Sequence, residues 1–365
     1  MEFFNTHISQ KAIALVNQVL QSGWLSEGSL VKEFEKSLTD HLGLKNPVAL
    51  NSGTSALHLA LAIAGVQPND EVILPAQTFV ATGLAILMQY AKPIFADIQY
   101  KTGNIDPNSI REKITDKTKA IIPVHWGGYP CDMDEINAIA KEHNLMVIED
   151  AAHALGATYK GKPIGSISDF TAFSFQAIKH LTTGDGGALC CINHENYHQT
   201  KTRRWFGIDR ANSKPSILGE REYDISELGY KYHMNDLAAA IGLGNLEDFL
   251  LGLQRRREIA AIYRNELKNV PGLELLDHQE DRESAYWLFT ILVEGRENFI
   301  RKLKEFDIPA SVVHLRIDHN SVFGGIIPGL MNQEKFNDFQ VSLPIHENIL
   351  EQEVRTIIRN IKNGW

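Results

Sequence analysis

Between residues 54 and 189 the chain alternates short apolar runs with helical patterns, and few folds accommodate that alternation. The runs 71–75, 93–98, 120–125, 145–149, 170–175 and 188–192 have the length and composition of buried strands. Stretches 54–64, 79–89 and 133–143 read as helices between some of them. The pattern predicts an α/β fold, a mostly parallel central sheet with helices on both faces. In such sheets ligands collect beyond the carboxyl ends of the strands, so residues just past each run are the candidates for chemistry. After about residue 246 the texture changes. One amphipathic helix, 253–267, and strand-like pieces at 286–293 and 310–315 accompany helices near 299–306 and 351–361. The expected organisation is a large domain, 1–245, and a smaller C-terminal α+β domain, 246–365.

Composition narrows the function. With 44% hydrophobic and 22% charged residues, the 365-residue chain has the make-up of an ordinary soluble globular protein. A formal charge of −9 argues against a general nucleic-acid binder or a protein of anionic membrane surfaces. It leaves room for a local basic site. Three cysteines, two of them adjacent (Cys190, Cys191), provide neither a disulfide framework nor a paired metal-binding spacing. His194 and His198 have metal-compatible spacing but no acidic companion motif, so no metal is expected. The start lacks the basic-then-apolar layout of a secretory signal, and no run is long enough to span a bilayer. The expected location is the cytoplasm.

The stretch 169–189 concentrates the chemistry. Four residues past the run that ends at Phe175 stands Lys179, among small and apolar neighbours, and Gly184-Asp185-Gly186-Gly187 follows. Burial lowers an amine's pKa, and a neutral amine is the nucleophile that condenses with aldehydes. A lysine snorkelling to water is the alternative. Asp150 directly follows a buried strand, where a carboxylate is costly unless paired. A pyridinium N–H is one such partner, and capping of the next segment is the other reading. His153 is either a hydrogen-bonded core histidine or a support for Asp150. Asn51-Ser52-Gly53-Thr54-Ser55 opens an apolar helix, with Thr54 or Ser55 as N-cap and free amides suited to a phosphate. Phe79 follows a strand end and either lies flat on an aromatic cofactor or belongs to the core. Asn235 precedes an Ala-rich helix and reads as its N-cap. Among the basic residues, Arg204 and Arg210 beside Trp205 are the candidates for a phosphorylated substrate, and His314 and Arg316 could face the site from the smaller domain.

Taken together and in order, segments 51–57, 75–82, 149–157, 173–187 and 229–240, with Ser342-Leu343-Pro344, resemble the DegT/StrS family of pyridoxal-phosphate-dependent sugar aminotransferases. The likeness covers nearly the whole chain. It implies the fold type I aminotransferase architecture, pyridoxal 5'-phosphate as cofactor, and a homodimer with shared active sites. By position it implies that Lys179 holds the cofactor covalently, that Asp150 sits on the pyridine nitrogen, and that Phe79 stacks on the ring. Gly53, Thr54, Ser55 and Ser174 would hold the phosphate, joined by Asn235 from the neighbouring subunit, with His153 against the ring's other face or its hydroxyl. Asp185 stands where the family has glutamate.

The resemblance further implies glutamate as amino donor and a nucleotide-linked keto-sugar as acceptor, in amino-sugar biosynthesis. A 4-keto-6-deoxyhexose aminated at C4 is slightly preferred over C3, because perosamine-synthase-like enzymes share this layout. His180, beside Lys179, keeps a sugar dehydratase in view, since the related 3-dehydratases carry histidine in place of the lysine. A non-catalytic regulator that binds the cofactor is the third reading.

Overall fold

The computed structural model describes residues 1–210 and 212–365. Its centre is a seven-stranded sheet of β1 (Pro47–Leu50), β2 (Glu71–Pro75), β3 (Lys92–Ala96), β4 (Thr118–Ile121), β5 (Met146–Asp150), β6 (Phe170–Ser174) and β7 (Gly187–Cys191). The spatial order is β1-β7-β6-β5-β4-β2-β3. Six strands run parallel, and β7 lies antiparallel between β1 and β6. Each strand is apolar along most of its length because both faces are covered, as a parallel sheet requires. One face packs on α1 (Gln10–Ser22), α2 (Ser29–Leu42) and α5 (Met133–His143), and the other on α3 (Gly53–Ile63) and α4 (Val80–Met88).

The six strand runs read between residues 54 and 192 are all present, with ends shifted by up to four residues. The largest shift is at β4, which stops at Ile121 where 120–125 was expected. Pro123 has no amide hydrogen to continue the ladder, and the chain rejoins β5 only through a single bridge from Val124 to Asp150. Helix α3 is capped by Ser52 rather than by Thr54 or Ser55. The Ser52 backbone is extended and its hydroxyl accepts the Ser55 N–H at 3.0 Å.

The helix expected over 253–267 is the second half of a longer one, α6 (Asp236–Leu267), 32 residues capped by Asn235. The boundary expected at 245/246 therefore falls inside a helix. Its first half buries Ala239, Leu243, Leu246 and Phe249 in the core beneath the large sheet. Its second half buries Ile259, Ala260, Tyr263 and Leu267 in a separate core with β8 (Leu273–Leu275), β9 (Phe289–Val293), β10 (Gln340–Leu343) and α7 (Glu351–Lys362). Residues 310–315 form no strand, only one bridge between Ser311 and Ser342. Close contact between α1 and α6 depends on Gly244, where a Cβ would lie 2.2 Å from the Ala12 nitrogen.

Arg204 ties the amino-terminal region to this sheet. Its guanidinium is buried and donates to Glu27 at 2.8 Å, to Glu35 at 2.5 Å and to the Ala49 carbonyl of β1 at 2.9 Å. Removing one partner of a buried ion pair strands the others, at roughly 3–5 kcal/mol. Arg204→Met is expected to lower the unfolding free energy by about that amount in urea titrations. Arg210→Met removes an exposed contact to Glu27 at 3.4 Å and a place over the Trp205 ring at 5.2 Å, and should change it by less than about 1 kcal/mol.

Candidate active site

Four parallel strands deliver the site at their carboxyl ends. Past β1, Asn51 and Ser52 lead into α3, whose first amides, from Gly53 and Thr54, have no carbonyl within the helix to meet. The dipole and these donors make the turn an anion site. Its close packing is built on glycine. A Cβ on Gly187 would lie 2.5 Å from the Ser52 carbonyl, and one on Gly53 would lie 3.0 Å from the Ser174 Cβ. Ser52, Gly53, Thr54 and Ser174 line a cavity of about 340 Å³. Ser55 lies behind this turn. Its Oγ donates to Asn51 Oδ1 at 2.7 Å and does not reach the cavity wall.

Asp150 ends β5 on the same cavity. Its carboxylate accepts the Thr82 hydroxyl at 2.7 Å and the Ala152 N–H at 3.2 Å, and forms no ion pair among the described residues. Burial pushes the Asp150 carboxyl above the usual carboxylate range, while the Thr82 and Ala152 donors and the charge on Lys179 pull it back. Beneath it lies a second buried acid. Glu149 accepts from Thr171 Oγ1 at 3.0 Å and the Ser168 N–H at 3.2 Å, and meets His125 Nε2 at 2.9 Å. His125 Nδ1 accepts the Cys131 N–H, so its Nε2 carries the proton donated to Glu149.

Lys179 follows β6 in a tight turn, its N–H bonded to the Gln176 carbonyl at 2.9 Å. The ammonium lies 3.6 Å from the centre of the Trp287 ring. Burial lowers its pKa to about 7, against the opposing pull of Asp150. Trp287 is clamped by a bond from its indole N–H to the Ile178 carbonyl at 2.9 Å, and its ring stacks on His153 at 3.8 Å and on Phe4 at 5.2 Å. His153 is buried and held neutral, chiefly by burial, and its Nδ1 has no hydrogen-bond partner. Phe79, 53% exposed, and His314 complete the opposite wall with ring centres 5.2 Å apart.

Of the residues singled out from sequence, Gly53, Thr54, Phe79, Asp150, His153, Ser174, Lys179 and His314 meet around one cavity. Others lie elsewhere. Asn235 is exposed and spends its side-chain oxygen on the Ala238 N–H at 2.8 Å, capping α6. Arg204 is occupied by Glu27 and Glu35 as described, and Arg210 lies over the Trp205 ring at 5.2 Å, in a separate cleft beside α2. Arg316 is buried in a two-pronged pair with Asp318, at 2.7 and 2.6 Å. His180 turns away from the cavity and bonds the Ala285 carbonyl at 2.8 Å. Sequence reasoning passed over Thr82 and Trp287. The only signal for Thr82 was its helical spacing from Thr78, whose hydroxyl it meets at 2.6 Å, and Trp287 was hidden in a strand-like run.

These residues fit pyridoxal phosphate. A buried carboxyl lacks a cation, His153 has an orphaned nitrogen, an anion turn stands at the start of α3, and one amine loses its charge near neutrality. The solved sugar aminotransferase CalS13 from Micromonospora echinospora superposes with a TM-score of 0.95 at 35% identity, over 100% of both chains. Spr1654 from Streptococcus pneumoniae superposes at 32% identity over 100% of this chain and 98% of its own. The TM-score is 0.90 for its PLP form and 0.91 for its PMP form. UDP-4-amino-4-deoxy-L-arabinose–oxoglutarate aminotransferase from Shewanella sediminis is 33% identical over 370 residues, 97% of this chain and 95% of that protein. Fold and site together define a pyridoxal-phosphate-dependent aminotransferase of fold type I. Residues 6–362 match the model of the DegT/DnrJ/EryC1/StrS aminotransferase family. The chain belongs to that family and is a sugar aminotransferase.

The depressed Lys179 pKa has a measurable sign. Between about 7 and the 10.5 of a lysine in an unfolded chain the folded amine has lost a proton that the unfolded chain still binds, so this group adds stability as pH rises through that window. The buried cysteine thiols act in the opposite sense at the upper end. The comparison with Lys179→Met isolates the lysine. Relative to that variant, the cofactor-free wild type should gain melting temperature from pH 7 to pH 9.5.

Proposed function

We propose that this sugar aminotransferase takes its amino group from glutamate and delivers it to a nucleotide-linked 4-keto-6-deoxyhexose, at C4 in preference to C3, releasing 2-oxoglutarate. The observation that carries transamination is that Lys179, not His180, faces the cavity opposite Asp150. The Shewanella relative, whose name specifies a UDP-sugar, a 4-amino group and oxoglutarate, supports the nucleotide link, C4 and the donor; its sugar is a pentose, so the 6-deoxyhexose rests on the family resemblance alone. A homodimer sharing its sites and a cytoplasmic location belong to the same proposal. No helix of the described residues is long and apolar enough to cross a membrane.

Pyridoxal phosphate, when bound, supplies the electron sink that acidifies the donor's α-carbon. Gly53, Thr54 and Ser174 would hold its phosphate, with Asn235 of a second copy as the further contact that the family resemblance implies. Asp150 would accept a hydrogen bond from the pyridine N–H and keep that proton in place, with Thr82 orienting the carboxylate. The Lys179 amine, neutral from about pH 7 upward, takes the α-proton of the donor and returns a proton during the sugar half. Two half-reactions sharing one site give ping-pong kinetics.

Incubating the holoenzyme with glutamate and a set of keto-sugar nucleotides tests the assignment by product mass and by the carbon that carries nitrogen. An amine at C4 is expected. Loss of the 3-hydroxyl without amination would replace the proposal with a dehydratase. Lys179→Ala should lower turnover by at least about 10²–10⁴-fold, the usual size of a lost acid–base group.

A further inference from the structure

One turn on the cavity wall is strained. Val313 has φ +60, a left-handed conformation that a β-branched residue rarely adopts. Across it the His314 N–H donates to the Val312 carbonyl at 2.7 Å, the rare form of a γ-turn. Two buried amides hold the turn. Gln340 and Gln77 donate to the His314 carbonyl at 2.8 and 3.2 Å, and Gln77 is itself fixed by Gln333 at 2.8 Å. Strain maintained by this much buried scaffolding points to a placed side chain.

The placed side chain is His314. Its ring lies beside Phe79 and nearly parallel to His153, at 5.9 Å and 14°. Burial and the Lys179 charge lower its pKa to about 4, so the ring is neutral. A neutral imidazole carries one N–H and one nitrogen with a lone pair and no proton.

We propose that His314 is a specificity residue for the sugar half of the reaction, its unprotonated ring nitrogen accepting a hydrogen bond from a hydroxyl of the keto-sugar. A carboxylate presents only lone pairs and gains nothing from such an acceptor, so glutamate does not use it. The exposed face of Phe79 beside it offers an apolar wall to the sugar's C–H face or 6-methyl group. The inference rests on glutamate as donor and a keto-sugar as acceptor.

The test uses the holoenzyme and measures each half-reaction alone in single turnover, by the change in cofactor absorbance. The probes are glutamate for the PLP form and a nucleoside-diphosphate 4-keto-6-deoxyhexose for the PMP form. His314→Phe keeps the ring and removes the acceptor, and His314→Gln restores one. For His314→Phe the sugar half should lose about 10- to 100-fold in kcat/KM, because a polar partner is left unmatched. The glutamate half should stay within about threefold, and His314→Gln should recover most of the loss. Calorimetric titration of the PLP form with the amino-sugar product should show weaker binding for His314→Phe in the same proportion. Equal damage to both halves, or none to either, overturns the role of His314. A wild type that aminates no keto-sugar overturns the functional reading itself, and this one with it.

Discussion

Everything in the active site follows from placing a carboxyl and an amine in one apolar cavity without letting them pair. Asp150 is held by neutral donors, Thr82 and the Ala152 amide, and Lys179 by the face of Trp287. Had they met as an ion pair, each would have been fixed in its charged form. Apart, the acid remains available to a cationic ring and the amine is released from its proton near neutral pH. The hydrophobic surround supplies this tuning, by making charge costly.

The fold is suited to hold such a pair. Asp150 and Lys179 follow adjacent parallel strands, β5 and β6, so hydrogen bonds fix the spacing of their backbones. The antiparallel β7 returns beside β6 and brings Gly187 against the start of α3, so the anion turn past β1 and the amine past β6 stand on either side of it. Behind the site, His125 and Glu149 satisfy one another, which leaves Asp150 as the buried acid facing the cavity.

Much of this was legible from the chain. Strand runs flanked by turn residues gave the large sheet, and a lone lysine and a lone aspartate at strand ends stood out against apolar neighbours. What escaped depends on partners distant in sequence. Nothing local distinguishes an arginine aimed at a ligand from Arg204, whose carboxylates lie 177 and 169 residues away. Arg316 was the reverse case, paired only two residues on with Asp318. β1 is four residues long and opens with proline, too little for a periodicity to register. Trp287 has the composition of a strand residue, and its role comes only from the fold that stacks it on His153. Asn235 reads as a helix cap from sequence and is one here.

The unbroken helix α6 has a consequence for how the molecule can be divided. Its two halves are buried in different cores, so neither core is complete without a piece of the same rod. A cut at residue 245 would leave each fragment with a frayed end and an uncovered apolar stripe. The large and small units therefore share one rod, and residue 245 offers no natural seam for modular exchange.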